Sequence, residues 1–458
     1  MSGARYRAAH LFEGDRWLSP GYVEVDGRGL IALVSGTCPA NWVEAELERL
    51  DGFVLPGIPN LHSHAYHRAY SLFAQAPTGA AREDLWTWRA GLYRLAQRIT
   101  PDQLEAVAAQ AFLEMLRAGF TSVGEFHYLH NDPAGRPYAN PAELSERILA
   151  AAEAVGIAIT LLPVLYRQDD FDRPLVGTQV RFGSPSVDAF ATLVGPLRRF
   201  RNGRVFLGVA PHSLRAVGPS DLRAVLALRD ELLPGAPIHL HAAEQIAEVE
   251  RAEVVLGMRP IAWLLEHIPL DDGWTVVHAT HATAEELIPL ARSGATVALC
   301  PTTEADLGDG LFGLERYEAS GGAWGIGSDA NVSLDPALEL RTLLYGQRLQ
   351  RRQRNAIAGL DTGRDLVAAA LRSGARSLRQ PIGRIAPGQR ADLVELDPAT
   401  SELLGHTTST VLDAWVFGAG ARAVRRVMVE GRWRVTGGHH PDEEQIGAAF
   451  ARAADALT

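Results

Sequence analysis

His62 and His64 flank Ser63 directly after the apolar run Phe53-Val54-Leu55-Pro56-Gly57-Ile58-Pro59. Residues i and i+2 of a strand face the same side. The spacing therefore predicts two imidazoles emerging together where a strand ends, and two such nitrogens are half of a tetrahedral metal site. Taken by itself, that spacing is more often a pair of ordinary surface or core histidines. The weighting changes because His241, His278 and Asp329 each stand at the end of another predicted strand. His62, His64, His241 and Asp329 supply three nitrogens and one oxygen. This borderline set suits Zn²⁺, with Fe²⁺ as the alternative. His239 shares a strand face with His241, but His241 is nearer the strand end and opens His241-Ala242-Ala243-Glu244. Glu244 then stands where a carboxylate can move protons beside a Lewis acid. Without the metal set it reads as an ordinary helix-start glutamate. His278 is expected to polarise the attacking water or the attacked centre, ahead of the neighbouring His281.

These residues need a scaffold that brings strand ends together. From residue 54 to about 355, short apolar runs alternate with helical runs. Thr100-Pro101 opens a helix that Gly119 closes, and Thr283 caps another. Counting the strand before His62, eight strand–helix units follow one another. Eight units closing on themselves form a (β/α)₈ TIM-like barrel, whose active sites lie at the C-terminal strand ends. All the polar residues named above lie at such ends. The flanks differ, with short β-like runs separated by turn residues. The expected organisation is a small composite β-sandwich from residues 1–56 and 381–436, a barrel over 57–380, and an amphipathic helix over 437–458. Pro301 to Gly322 reads as a long glycine-rich loop, either a lid or an exposed connection.

Composition narrows the chemistry further. The chain has 458 residues and a net charge of −10, with no basic cluster to hold nucleic acid. No apolar run is long enough to span a bilayer, and Met1 to Arg7 lacks the apolar stretch of a signal peptide. The two cysteines, Cys38 and Cys300, lie far apart without metal spacing, so a disulfide framework is excluded and a reducing cytoplasm is expected. All 44 basic side chains other than histidine are arginine. The missing lysine removes a Schiff base, a phosphate-loop lysine and a carboxylated lysine bridging two metals, so the expected site holds one divalent ion.

The combination of H-x-H after the first strand, H-x-x-E after the fifth, His after the sixth and Asp after the eighth resembles the amidohydrolase superfamily, specifically its mononuclear deaminase branch. The resemblance covers nearly the whole chain, including Gly383 to Leu393. It implies that His62, His64, His241 and Asp329 bind the metal and that Glu244, His278 and Asp329 take part in catalysis. Four stretches resemble the branch members that hydrolyse a formimidoyl amino acid: Leu61 to Ala65, Ala210 to Val217, Leu299 to Gly310 and Gly327 to Asp329. That likeness implies conversion of N-formimidoyl-L-glutamate to N-formyl-L-glutamate and ammonia, a step of histidine degradation. It also implies that Arg89, Tyr128, His212 and Arg215 hold the glutamate part. Arginine's planar fork suits such a small anionic partner, and a homodimer is left open. Two positions depart from the pattern: His67 replaces a glutamine, and Ala330-Asn331 replaces Ser-His. Both are expected near the substrate pocket. The alternatives are a deaminase of a purine or pyrimidine base and a non-catalytic barrel scaffold.

Overall fold

Gly57 carries the chain from one sheet into another. It follows the strand Glu48–Pro56 and precedes the strand Ile58–Ser63, its N–H donates to Asp392 O at 2.9 Å, and a Cβ there would stand 2.1 Å from Thr121 Oγ1. The computed structural model describes residues 3–71 and 85–457. On the N-terminal side of Gly57 lie β1 (Ala4–Phe12), β2 (Trp17–Leu18), β3 (Gly21–Val25), β4 (Ile31–Ser35) and β5 (Glu48–Pro56). On the other side lie the barrel strands β6 (Ile58–Ser63), β7 (Phe120–His127), β8 (Ala158–Leu165), β9 (Val205–Leu207), β10 (Ala210–Pro211), β11 (Ile238–Ala242), β12 (Trp274–His278), β13 (Thr296–Leu299) and β14 (Ala323–Ile326).

The neighbouring barrel strands are parallel, and the seams close through isolated bridges, Val209 with Ile238 and Ser213 with His241 at one seam and Ser63 with Asp329 at the other. β9 and β10 share one position, split at Gly208, so the ring has eight positions, as expected. Parallel strands covered on both faces are apolar throughout, and every residue of β6, β7, β8, β11, β12 and β13 is buried. The punctuation read from sequence takes the expected form. Thr100 forms a capping box with Gln103, Pro101 occupies the first turn, and Gly119 ends the helix Pro101–Ala118 at φ 106°. The helix Gly363–Leu378 reaches under the barrel. There Leu378 O accepts from Thr160 Oγ1 at 2.8 Å, and Ser377 O lies 3.2 Å from His239 Nε2. His239 therefore lies at the opposite end of β11 from the functional site.

After the barrel come β15 (Leu393–Leu396), β16 (Val424–Val429) and β17 (Arg432–Thr436). They join the N-terminal strands in one eight-stranded sheet of order β17-β16-β15-β5-β1-β3-β4, with β2 on β1. The two termini thus make one composite unit, and β5 is its seam, antiparallel to β15 and parallel to β1. The C-terminal helix Glu443–Leu457 packs on Pro101–Ala118.

One expectation is corrected. Pro301 to Gly322 is not a glycine-rich loop but carries two helices, Pro301–Leu307 and Leu314–Ala319. Pro301 sits in the first turn and Gly308 ends that helix at φ 70°, so these residues punctuate helices and leave no long flexible connection.

Candidate metal centre

His62 Nε2 lies 3.2 Å from His64 Nε2 and 3.1 Å from His241 Nε2. Asp329 Oδ1 lies 3.4 Å from His62 Nε2 and 3.2 Å from His64 Nε2. Four ligands set about 2.0–2.1 Å from one ion in a tetrahedron stand roughly 3.3–3.4 Å apart, so the observed separations are the edges of such a polyhedron. All four residues are buried. Two of the three outer ring nitrogens are held from behind: His64 Nδ1 lies 2.8 Å from Phe126 O, and His241 Nδ1 lies 3.1 Å from His212 O. An Nδ1–H donating to a carbonyl leaves the Nε2 lone pair facing inward, as metal-binding imidazoles require. His62, His64, His241 and Asp329 form a binding site for a divalent metal.

The backbone that aims these groups is unusual where the strands end. Among the described residues, nine non-glycine residues have left-handed backbone, and five of them are Ala243, His278, Ala279, Asp329 and Asn331. Such conformations cost about 1–3 kcal/mol each and persist where surrounding contacts impose them. At Asp329 the contacts are visible. Ser328 N and Asp329 N both donate to His62 O at 2.9 Å, and His64 N donates to Asp329 O at 3.0 Å. A Cβ on Gly327 would stand 2.8 Å from His62 Cβ, so only glycine lets the last strand come this close to the first.

The cluster opens into a cavity of about 830 Å³, counting its mouth. Its wall includes Arg89, Tyr128, His212, Arg215, Glu244 and His278, together with His67. His278 Nε2 lies 3.9 Å from both Glu244 Oε1 and Asp329 Oδ2. Burial pushes the Glu244 carboxyl up. Burial also opposes charge on Asp329, but its contacts to His62 and His64 hold it well below the usual carboxylate range. Burial opposes the His278 imidazolium too, yet Glu244, Glu304 and Asp329 outweigh it and push that group up to about 10. His67 Nε2 lies 2.8 Å from Tyr128 Oη. Arg215 Nη1 donates to Asp169 O at 2.6 Å, and the Arg89 guanidinium lies 5.3 Å from the Tyr93 ring centroid.

Residues 53–434 match the amidohydrolase family. The chain belongs to the amidohydrolase family. It is 45% identical over 457 residues to the formimidoylglutamate deiminase of Pseudomonas aeruginosa, covering 99% of this chain and 98% of that protein. It is 30% identical over 429 residues to the 8-oxoguanine deaminase of the same organism, covering 91% and 90% of the two chains. The crystal structure of an amidohydrolase from Brucella melitensis superposes with a TM-score of 0.91 at 38% identity, covering 99% of each chain.

In this amidohydrolase three buried residues support the site without having been singled out in the sequence. Glu304 Oε1 lies 3.2 Å from His278 Nδ1 and accepts from Cys300 N at 2.9 Å. Glu248 accepts from Ala243 N at 3.1 Å and Glu244 N at 3.0 Å, clamping the turn that carries Glu244. Tyr166 adds an aromatic wall beside His212, with ring centroids 4.6 Å apart. Glu248 was visible as the second acid of Glu244-x-x-x-Glu248, but Glu304 lay in the stretch read as a loop. One departure position is also corrected. Ala330 lines the cavity, whereas Asn331 is buried behind it and donates from Nδ2 to His64 O at 2.9 Å. Its φ of 57° turns it out of the wall and into a brace between the last and first strands.

Proposed function

We propose that this chain is a zinc-dependent deiminase that hydrolyses N-formimidoyl-L-glutamate to N-formyl-L-glutamate and ammonia, a step of histidine degradation in the cytoplasm. One observation carries the reading. The His–Asp cluster shares its cavity with Arg89 and Arg215, so groups that suit a Lewis acid and groups that suit carboxylates face the same space. The 45% identical relative bears the name of this activity. Imidazoles and carboxylates are both ligand types of catalytic zinc sites.

When bound, the ion supplies Lewis acidity, which brings the pKa of a water towards neutrality. Asp329 Oδ2 and His278 Nε2 face the same space and orient that water toward the formimidoyl carbon. Glu244, whose proton affinity burial raises, takes a proton from the water and delivers it to the departing nitrogen. The second water proton follows from the hydroxyl of the tetrahedral carbon to the same nitrogen as the carbon–nitrogen bond breaks, so ammonia leaves with both protons and the water oxygen stays as the formyl carbonyl. Arg215 and Arg89 hold the substrate carboxylates, with the planar fork of arginine matching two carboxylate oxygens. Tyr128, His212 and His67 line the space between them and the metal ligands.

The 30% identical relative favours a second reading, hydrolytic deamination of a purine base. A substrate panel scored by ammonia release separates the two: N-formimidoyl-glutamate, N-formimidoyl-aspartate, guanine and cytosine, each with zinc-loaded and chelator-treated protein. The formimidoyl-glutamate reaction is expected to dominate and to need the ion. Faster ammonia release from either base overturns the reading.

A further inference from the structure

The cavity beside the metal ligands continues outward. A second cavity of about 680 Å³, counting its mouth, shares Arg89, Arg215 and Glu248 with the first but holds none of the four metal ligands. Those three residues therefore divide an inner chamber from an outer one. The outer wall adds Arg173 and Arg251. Arg251 lies on the helix Ile246–Leu256, one turn after Ala247, so both face the outer chamber. Arg173 closes a short turn: its N–H donates to Asp170 O at 2.7 Å, and its own O accepts from Asp169 N at 3.0 Å. Phe171, inside that turn, is buried and anchors it, which leaves Arg173 exposed at the mouth. The same turn supports Arg215, whose Nη1 donates to Asp169 O.

The carboxylates of the outer chamber are already engaged. Glu248 accepts from Ala243 N and Glu244 N, Asp169 from Gln179 Nε2, and Asp170 from Arg251 Nε at 3.2 Å. Among the described residues no carboxylate pairs with Arg173. An incoming anion thus meets four guanidinium groups against three engaged carboxylates. The chain as a whole repels such a molecule, since its net charge is −10. Beyond a Debye length, about 8 Å at physiological ionic strength, that repulsion is screened, so charges near the mouth decide capture.

We propose that Arg173 and Arg251 form an outer anion subsite that captures a small dicarboxylate and passes it inward to Arg215 and Arg89. The subsite rests on the proposed reaction only for the identity of that dicarboxylate. Charges at the rim of a binding site act on the rate of capture and its salt dependence more than on affinity. The pair therefore raises kcat/KM and leaves the chemical step, at the far end of the inner chamber, untouched.

Full-length zinc-loaded protein is assayed for ammonia release from formimidoyl-glutamate at about 0.01 M and about 1 M ionic strength, between which the Debye length falls from about 30 Å to about 3 Å. Arg173→Gln combined with Arg251→Gln should lower kcat/KM at least about tenfold at low ionic strength, keep kcat within about twofold, and converge on wild type at high ionic strength. Asp170→Asn removes a carboxylate from the chamber and should raise kcat/KM at low ionic strength, a direction that damage to the turn does not produce. Arg384→Gln makes a single loss of positive charge elsewhere, at a side chain 58% exposed beside Asp15, and should behave as wild type. Equal losses at both ionic strengths, equal losses on a formimidoyl compound without carboxylates, a comparable loss in Arg384→Gln, or no rise in Asp170→Asn overturns the subsite. Glutarate binding, measured by calorimetry on the same preparations at low ionic strength, does not depend on the reaction. It should weaken by at least about threefold in the double variant, and equal affinities overturn the subsite. The same weakening of glutarate binding in a protein inactive on formimidoyl-glutamate would instead refute the proposed reaction and leave the subsite standing.

Discussion

Glu304→Gln isolates what the carboxylate behind His278 contributes. The pair is 3.2 Å apart, with the Glu304 side chain 7% exposed and that of His278 1%, so solvent screens it little. Glutamine keeps the volume and one carbonyl oxygen, which still accepts from Cys300 N, the 2.9 Å partner of Glu304. The contact to His278 Nδ1 runs through the same oxygen position, so the ring keeps an acceptor for its Nδ1–H. What the substitution removes is the negative charge: the hydrogen bond loses its charge assistance, and one of the three carboxylates that push the His278 imidazolium up is gone. Hydrogen bonds to charged groups contribute about 1.5–3 kcal/mol, which corresponds to roughly 10- to 150-fold in rate. The expected outcome is a fall of that size in kcat with KM little changed, because Glu304 is not among the residues of the cavity wall. Metal content should be unaltered, since His62, His64, His241 and Asp329 are untouched. Steady-state ammonia release with metal measured on the same preparation gives the answer. A kcat within about twofold of wild type at full metal occupancy would refute the idea that His278 works through the charge that Glu304 helps to hold on it.

Three further outcomes follow from the same geometry. Arg215→Ala should lower kcat/KM on formimidoyl-glutamate by at least about tenfold, with partial recovery in Arg215→Lys, because an ammonium lacks the fork. The loss should be much smaller on a formimidoyl compound without carboxylates, and equal losses on both would make Arg215 a support of the fold. Glu244→Gln should keep its metal and lose roughly 10²–10⁴-fold in turnover, read by ammonia release beside metal analysis. Glu339, fully buried and accepting from Thr302 N at 2.9 Å, is pushed by burial up to about 8 from an ordinary value of 4.5. The folded protein thus keeps a proton that the unfolded chain releases, so this contribution to stability is complete below pH 4.5 and is lost as pH rises through 8. Denaturant midpoints of Glu339→Gln should therefore fall less than wild type across that window, and parallel curves would show that Glu339 does not titrate there.

The sequence was most legible where one local rule applied over several residues. The apolar runs of the parallel strands, the caps at Thr100 and Thr283 and the stop at Gly119 identify the barrel, because burial on both faces and helix termini leave local signatures. The ligands were legible for the same reason: strand period two brings His62 and His64 to one side, and each remaining ligand ends a run. The rule fails in the turns past the strand ends. Asn331 follows Asp329 by two positions and on strand geometry belongs on the same wall, but left-handed backbone at 41° and 57° breaks the alternation and sends it behind the site. Glu304 was hidden by the opposite effect. Pro301 and Gly308 look like loop residues in composition, whereas at the first turn and the end of a helix they define seven ordered residues that place a carboxylate behind His278. The positions that misread are those where the backbone departs from strand geometry to aim a functional group, since contacts from distant parts of the chain hold that departure and no neighbouring residue encodes it.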